Sequence, residues 1–232
     1  MNEIIRKRKS TRKYIMTDLE PEILAMVESK ILELKPLFTE LNYTIRIVKK
    51  TKGMFGINAP HYLIFNSEIK EGALENIGFV GQQMDLFFAE IGLGACWLGA
   101  AKPQKDQIGD LPFVVSMAFG KTTESIFREL NEYKRKPLSE ISTGSDPRLE
   151  AARLAPSGIN AQNWFFVAEP GKIICYRKIP MMLKMIYERL SVIDIGIAIC
   201  HIAQESENFS FEKETGVPDR KGMVYVGTVI GD

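Results

Sequence analysis

The order of elements along this 232-residue chain repeats, and that repetition limits what it can fold into. In the first half, Ile23, Leu24, Val27, Ile31 and Leu34 keep helical spacing and predict a helix over 18–34. Thr17 ahead of Asp18, Leu19 and Glu20 reads as a capping box, with Pro21 in the first turn. Alternation then predicts a strand over 43–48 and a short buried strand over 62–65, followed by a long helix over 74–91 and a strand over 113–119. In the second half a helix is expected near 147–154, strands at 164–168 and 173–176, a helix near 188–205 and a last strand at 224–230. Helix, strand, strand, helix, strand is thus expected twice, and PFVVSMAFG (112–120) against MVYVGTVIG (223–231) is the best-matching pair of segments. Either half alone is too small and too strand-edged to bury a face, so the two are expected to pack together. The resulting reading is one α+β globule over 1–232, with pseudo-symmetric halves at about 1–125 and 145–232 that derive from an internal duplication. The basic connector between them holds KRKPL (134–138) and no flexible Gly/Ser linker.

Composition narrows the function classes. With 45% hydrophobic and 25% charged residues the chain matches folded proteins, not disordered ones. Thirty Lys and Arg against 29 Asp and Glu leave a net charge of +1, so no global field draws in nucleic acid or an acidic membrane. Cys96, Cys175 and Cys200 lie far apart without a CxxC pair, which argues against a zinc site or a disulfide framework. The basic N-terminus is not followed by an apolar signal segment, and no stretch approaches the ~18 apolar residues of a membrane span. A soluble, cytoplasmic protein with reduced thiols is expected.

Two segments stand out chemically. Six of the eight positions from Arg6 to Lys13 are basic, around Ser10 and Thr11. A charge run is commonly a solvated arm, and a nucleic-acid arm is a second reading, although interleaved aromatics are missing. If the segment is extended, however, Arg8, Ser10 and Arg12 fall on one side and offer charge-assisted donors to a phosphate. About 150 residues downstream, APSGINAQNW (155–164) sets a Pro-Ser-Gly turn, with amide groups from Asn160 and Gln162, against an aromatic strand. It reads either as a plain turn in which Gly158 takes a positive φ, or as a hydrogen-bonding wall beside a flat heterocycle. Together the two segments suggest a phosphorylated ring cofactor.

The remaining features are plainer. GLGACWLG (92–99) follows a helix, the reverse of a dinucleotide fingerprint, and reads as a C-cap ahead of a buried Trp97. Gln82 and Gln83 are expected to face solvent, and His201, within IAICHIA, to be a satisfied core histidine. Met181, Met182 and Met185 read as flexible packing. No metal set, nucleophile elbow or P-loop is present, so hydrolysis and phosphoryl transfer lack their tools and no catalytic side chain is named.

On RKRKSTRKY (6–14), APSGINAQNW, GLGACWLG behind its helix, the strand ending in FGK and KRKPLSEI (134–141), the chain resembles the nitroreductase family, FMN enzymes that hold the flavin between two subunits. The resemblance implies mixed and antiparallel sheets flanked by helices, with the two halves as an internal pseudo-dimer. One departure fits that picture. LELKPLF (32–38) stands where the family has its Pro-Ser element, which appears here in the second half. The second half in turn has ENFSF (207–211) where a GLGACWLG would be needed, so one complete site is expected. Asn163 replaces a family proline.

Carried over by position, Arg8, Lys9, Ser10 and Arg12 would bind the phosphate, the ribityl chain and the N1/O2 edge of FMN, with Arg135 or Lys136 assisting. Pro156, Ser157 and Asn160 would line the ring, and the backbone near Leu98, Gly99 and Ala100 would face N5 and O4. The implied activity is ping-pong hydride transfer from NADPH or NADH to a nitroaromatic, a quinone or a similar small-molecule acceptor, in a monomer or a homodimer. Trp97 and the loop 54–58 would shape the pocket. Other readings are a flavin-binding storage or sensor protein without turnover, and a nucleic-acid-binding domain using the basic arm.

Overall fold

The computed structural model describes residues 2–52, 57–104, 109–179 and 184–231, with side chains from residue 188 onward in the last segment. The expected pocket loop is therefore described only at Ile57 and Asn58, and the packing assigned to Met181, Met182 and Met185 lies outside the described residues and side chains. The first half comprises helices α1 (Glu3–Lys7), α2 (Pro21–Leu32) and α3 (Ala73–Glu90), with strands β1 (Tyr43–Val48), β2 (Thr51–Lys52), β3 (His61–Ser67), β4 (Gly94–Leu98), β5 (Lys102–Pro103) and β6 (Phe113–Gly120). A connector with α4 (Leu138–Ile141) and β7 (Ser142–Thr143) leads to α5 (Leu149–Leu154), β8 (Trp164–Glu169), β9 (Lys172–Lys178), α6 (Lys184–Ala203), β10 (Ser210–Glu212) and β11 (Met223–Ile230).

One sheet runs β1-β3-β6-β4, antiparallel throughout. The other runs β10-β11-β9-β8-β7, antiparallel except where β7 joins β8 in parallel. Leaving β7 aside, the second sheet is ordered β8-β9-β11-β10, the order of the first with each strand replaced by its counterpart. In both, a helix precedes the first strand, a long helix follows the second, a short edge strand follows that helix, and the last strand lies inside the sheet.

Between the sheets α3 and α6 cross at backbone contact. A Cβ on Gly78 would stand 2.1 Å from the Ile193 carbonyl oxygen, and one on Gly196 would stand 2.0 Å from that of Glu75. No side chain fits at either position, so glycine is required on both helices. Around the crossing Ile77, Val80, Met84 and Phe88 of α3 and Ile195, Ala198, Ile199 and Ile202 of α6 are wholly buried. They join one hydrophobic cluster with Phe65 and Phe119 from the first sheet and Trp164 and Phe166 from the second.

The expected capping box does not form. The α2 N-cap is Glu20 without a side-chain cap bond. Asp18 is instead paired with Lys49, and the Leu19 amide donates to His61 Nε2 at 3.0 Å, so β3 draws the segment away from the helix end. The glycines of GLGACWLG do separate things: Gly92, at φ 80°, ends α3, while Gly94 lies where a Cβ would meet Thr11 Oγ1 at 2.5 Å. That closeness lets the basic segment cover the β4 edge, through a parallel bridge from Ser10 to Ala95 and the Thr11 amide donating to the Ala95 carbonyl at 2.9 Å.

Gln82, expected in solvent, is fully buried and ties the basic segment to both helices. Its amide nitrogen donates to Asp85 Oδ2 at 2.9 Å and to His201 Nε2 at 3.1 Å, and its Oε1 accepts from Trp97 Nε1 at 3.2 Å. Asp85 pairs with Arg8 Nε at 3.0 Å, both groups buried. His201 Nδ1 faces the Ala151 carbonyl at 2.9 Å, an acceptor only, so the proton sits on Nδ1 and Nε2 accepts from Gln82. Only Gln83 is near the surface, bonded to the backbone of Lys35. Among the described residues no helix is long and apolar enough to cross a membrane, and no cluster of metal-ligating side chains occurs.

This core can be tested at the crossing and at its buried histidine. Gly196→Ala should force the helices apart, with an overpacking cost of about 3 kcal/mol that lowers Tm by roughly 10 °C in thermal melts; an unchanged Tm would mean the crossing is loose. Burial pushes the His201 imidazole down to about 3, so it is neutral in the folded protein. As pH falls below the ordinary value of about 6.5 the unfolded chain gains a proton that the native state does not, and stability present above that value is lost on the way down. His201→Gln should lose Tm less steeply than the natural protein between pH 6.5 and 4, and equal slopes would show that the native imidazole is charged.

Candidate active site

Two adjoining cavities open between the basic segment, the turn after α5 and the N-terminal half of α6. The first, about 410 Å³, is cationic, bounded by Lys9, Arg12, Arg128, Lys134 and Arg135, with Glu132 as its one acid. The second, about 230 Å³, is an apolar slot walled by Trp97, Val115, Leu190, Ile193 and Ile197, with Cys96 and Asp194 also lining it. They share Ser10, Arg12, Pro156, Ser157 and Ile159, so a ligand could run continuously from one into the other.

The cationic end is built by pairing. The Lys9 amide donates to the Ile126 carbonyl at 3.0 Å and the Arg128 amide to the Lys7 carbonyl at 2.7 Å, which brings the connector alongside the basic segment. The Arg128 guanidinium stacks over the Tyr133 ring at 3.8 Å, and that of Arg135 lies 5.4 Å from the same ring. Burial and the charges of Arg128 and Arg8 push Arg135 down to about 10. The Nε atoms of Arg128 and Arg135 are buried without a hydrogen-bond partner among the described residues. Half-buried cations crowded together are unfavourable unless an anion joins them. A phosphate suits this end.

The wall from the second half is held under tension. Ile159, Asn160 and Gln162 adopt φ of 49°, 60° and 50°, a left-handed conformation that is a true outlier for a β-branched isoleucine. Gly158, expected to take the positive φ, does not. Several bonds hold the turn. Arg135 Nη1 donates to Asn160 Oδ1 at 2.6 Å, and Asn160 Nδ2 to the Lys134 carbonyl at 2.7 Å. Ser157 Oγ accepts the Gln162 amide at 3.0 Å, and Asp194 Oδ1 accepts the Gly158 amide at 2.9 Å. Ile159 is left 72% exposed, at the boundary of both cavities.

Of the twelve expected cofactor contacts, the fold brings Lys9, Ser10, Arg12, Gly99, Arg135, Pro156, Ser157 and Asn160 to these cavities. Arg8 turns inward instead, where the buried Asp85 carboxylate pairs with it. It still reaches Ser10 Oγ, at 3.3 Å. Lys136 staples the turn through the Ala161 carbonyl at 2.8 Å, and its own amide donates to Gln162 Oε1 at 2.8 Å. Leu98 is buried with its carbonyl accepting from Ser116 Oγ at 3.3 Å, and Ala100 is exposed outside the slot walls. Cys96 stays a thiol, since burial pushes it up more than Arg12 and Arg8 pull it down. Sequence reasoning missed Arg128, which has no signal until the connector is paired. It also missed Asp194, which could have been noticed as the one acid in the apolar run VIDIGIAIC.

Comparison with known proteins agrees with this architecture. The family described as "Putative TM nitroreductase" matches residues 1–206. Among solved structures, a putative nitroreductase from Thermotoga maritima MSB8 superposes with a TM-score of 0.68 at 22% identity, covering 98% of this chain and 92% of that one. A nitroreductase family protein from Clostridium difficile 630 gives a TM-score of 0.50 at 20% identity, over 60% of this chain and 96% of its own. A search of curated proteins finds no match. With its match running through both walls of the cavities, the chain belongs to this nitroreductase family and thus to the oxidoreductases.

Proposed function

We propose that the paired cavities hold one FMN, phosphate in the cationic end and ring in the apolar slot, and that the protein is an NAD(P)H-dependent oxidoreductase of nitroaromatics, quinones or similar small acceptors. The observation that carries this reading is the cavity bounded by Lys9, Arg12, Arg128, Lys134 and Arg135, beside a slot walled by Trp97 and Ile193. A phosphate would complete the first, and a flat apolar heterocycle would stack in the second with one face left to the acceptor.

When bound, FMN supplies the hydride-accepting and hydride-donating centre. The chain's own residues do the rest. Arg128, Arg135 and Lys9 would hold and neutralise the phosphate. Arg12, where the cavities meet, would set a cation near the ring edge on which charge develops and so favour the reduced form. Pro156, Ser157 and Ile159 would form a wall from the second half, and the part of the slot beside Gly158 and Asp194 would be the place where nicotinamide and acceptor take turns.

The basic segment is folded into the protein, with Arg8 buried and Thr11 packed on Gly94, which disfavours its use as a free arm for nucleic acid. The repeated strand order supports an internal duplication in which one chain supplies both walls, so a monomer suffices for one site. The C. difficile relative, matched almost whole on 60% of this chain, fits that reading. A second FMN is not proposed. The groove related to the first by the repeat, between residues 35–37 and 206–211, offers Lys35 opposite Glu207, and its aromatics pack on one another, Phe209 on Phe79 at 5.6 Å and Phe211 on Phe38 at 5.7 Å.

Titration with FMN should show one equivalent bound per chain, with absorption bands that bleach anaerobically on addition of NADPH or NADH and return with a quinone. No binding would defeat the cofactor assignment, and bound flavin that neither nucleotide reduces would point to storage or sensing. Arg128→Ala and Arg135→Ala should each weaken FMN binding by about 10- to 100-fold, as loss of a charge-assisted hydrogen bond predicts. Riboflavin, which has no phosphate, should bind the natural protein and both variants alike; an equal loss for riboflavin would show that the arginines only hold the turn.

A further inference from the structure

We propose that Asp194 is the proton donor of the apolar slot, delivering to the bound acceptor the proton that must accompany the hydride. This rests on reading the slot as the reducing site. Asp194 sits on α6 with 4% of its surface exposed, in the wall of the slot beside Ile193 and Ile197. Its Oδ1 accepts the Gly158 amide, and among the described residues Oδ2 has no hydrogen-bond partner. A carboxyl group with one oxygen anchored and the other free in the wall of a ligand cavity has the geometry of a general acid.

The obvious competing explanation is that Asp194 only anchors the turn. The other half of the chain tests it. On α3 Glu75 meets the crossing glycine of α6 through its carbonyl, Asn76 comes next and Gly78 lies three places on; on α6 Ile193, Asp194 and Gly196 stand in the same spacing and make the reciprocal contacts. Asn76 is the anchor there, since its Oδ1 accepts the amides of Leu37 at 2.8 Å and Phe38 at 3.1 Å, in the segment that precedes β1 as Gly158 precedes β8. A neutral amide is therefore sufficient to hold such a turn. Where the cavities lie, the same place carries an ionisable group instead, and anchoring does not account for that difference.

The surroundings favour the protonated acid. Burial raises Asp194 to about 7, against the pull of the Gly158 amide. Among the described residues, the charged or titratable side chains nearest it are Arg12 and Cys96, which line the same slot, while Arg177 of β9 reaches α6 at Ser191 and the Glu75 carbonyl of α3 meets α6 at Gly196. Two-electron reduction of a quinone then balances as follows. The hydride supplied by the proposed activity adds to the quinone, the Asp194 Oδ2 proton goes to the quinone oxygen, hydroquinone leaves, and the carboxylate regains a proton from water at the cavity mouth.

Asp194→Asn tests this while keeping the anchor, as Asn76 does. In the flavin-free protein, an infrared pH titration should show a protonated-carboxyl band that is lost near neutral pH and is absent from the variant; no such band would overturn the proposal. In the FMN-loaded protein reduced with NADPH or NADH, reoxidation by a quinone should be compared with reoxidation by ferricyanide, which takes electrons without protons. The quinone rate relative to the ferricyanide rate should fall about 100-fold in the variant at pH 6, and its dependence on pH should flatten. An unchanged ratio in a protein that binds and reduces FMN would sink the acid role and leave the proposed function standing. Failure of the natural protein itself to bind or reduce FMN would instead overturn the function, and this inference with it.

Discussion

Everything in this molecule depends on two helices being able to touch backbone to backbone. At Gly78 and Gly196 the facing chain lies so near that a single methyl group would collide with a carbonyl oxygen. The reciprocal contacts lock the register of α3 against α6, because sliding either helix by one residue would place a side chain where only hydrogen fits. That register decides where Leu190, Ile193, Asp194 and Ile197 of the second half stand relative to Trp97 and Val115 of the first. The apolar slot is thus a product of the crossing, and the rest of the site is assembled around it.

Assembly proceeds through polar groups that would be costly if left unpaired. A buried Arg8 with Asp85 is weak evidence of stability by itself, since desolvation opposes the attraction. Here the pair belongs to a chain of bonds through Gln82 to Trp97 on one side and His201 on the other. Its consequence is positional: Trp97 is held on the slot, and the residues after Arg8 are held along β4, so that Ser10 and Arg12 face the cavities. Tyr133 adds to this from the connector, donating to the Arg8 carbonyl at 2.8 Å while its ring carries Arg128. The connector therefore forms one side of the site.

Much of the architecture was legible in the residues, because periodicity reports burial directly. The long apolar helix over 74–91 and the strands at 43–48 and 113–119 correspond closely to α3, β1 and β6. Short edge elements were not legible: GACWL and SFE become strands β4 and β10 only because a neighbour offers a partner, and neither has the length to announce itself. The site was legible where charge and turn chemistry coincide, as at Arg12, Arg135 and Ser157. Arg8 was expected beside Ser10 and Arg12 facing a phosphate, and nothing local reveals that Asp85, a turn beyond Gln82 on α3, waits for it. Gln82 illustrates the same limit, its burial being set by His201, which lies 119 residues away.

The repeat turns the molecule into its own comparison. Where equivalent positions in the halves agree, as at Gly78 and Gly196, the residue serves the crossing and no further cause is needed. Where they diverge, the shared scaffold is held constant and the divergence isolates what one side does alone. The turn before β1 follows a short polar stretch and packs Phe38 against Phe211, while the turn before β8 holds three left-handed residues and leaves Ile159 exposed. Strain of that kind persists only when surrounding bonds over-determine it, and Arg135, Lys136 and Asp194 supply those bonds. Strain, crowded cations and a buried acid occur together on the side of the paired cavities, and among the described residues the equivalent groove on the other side has none of the three.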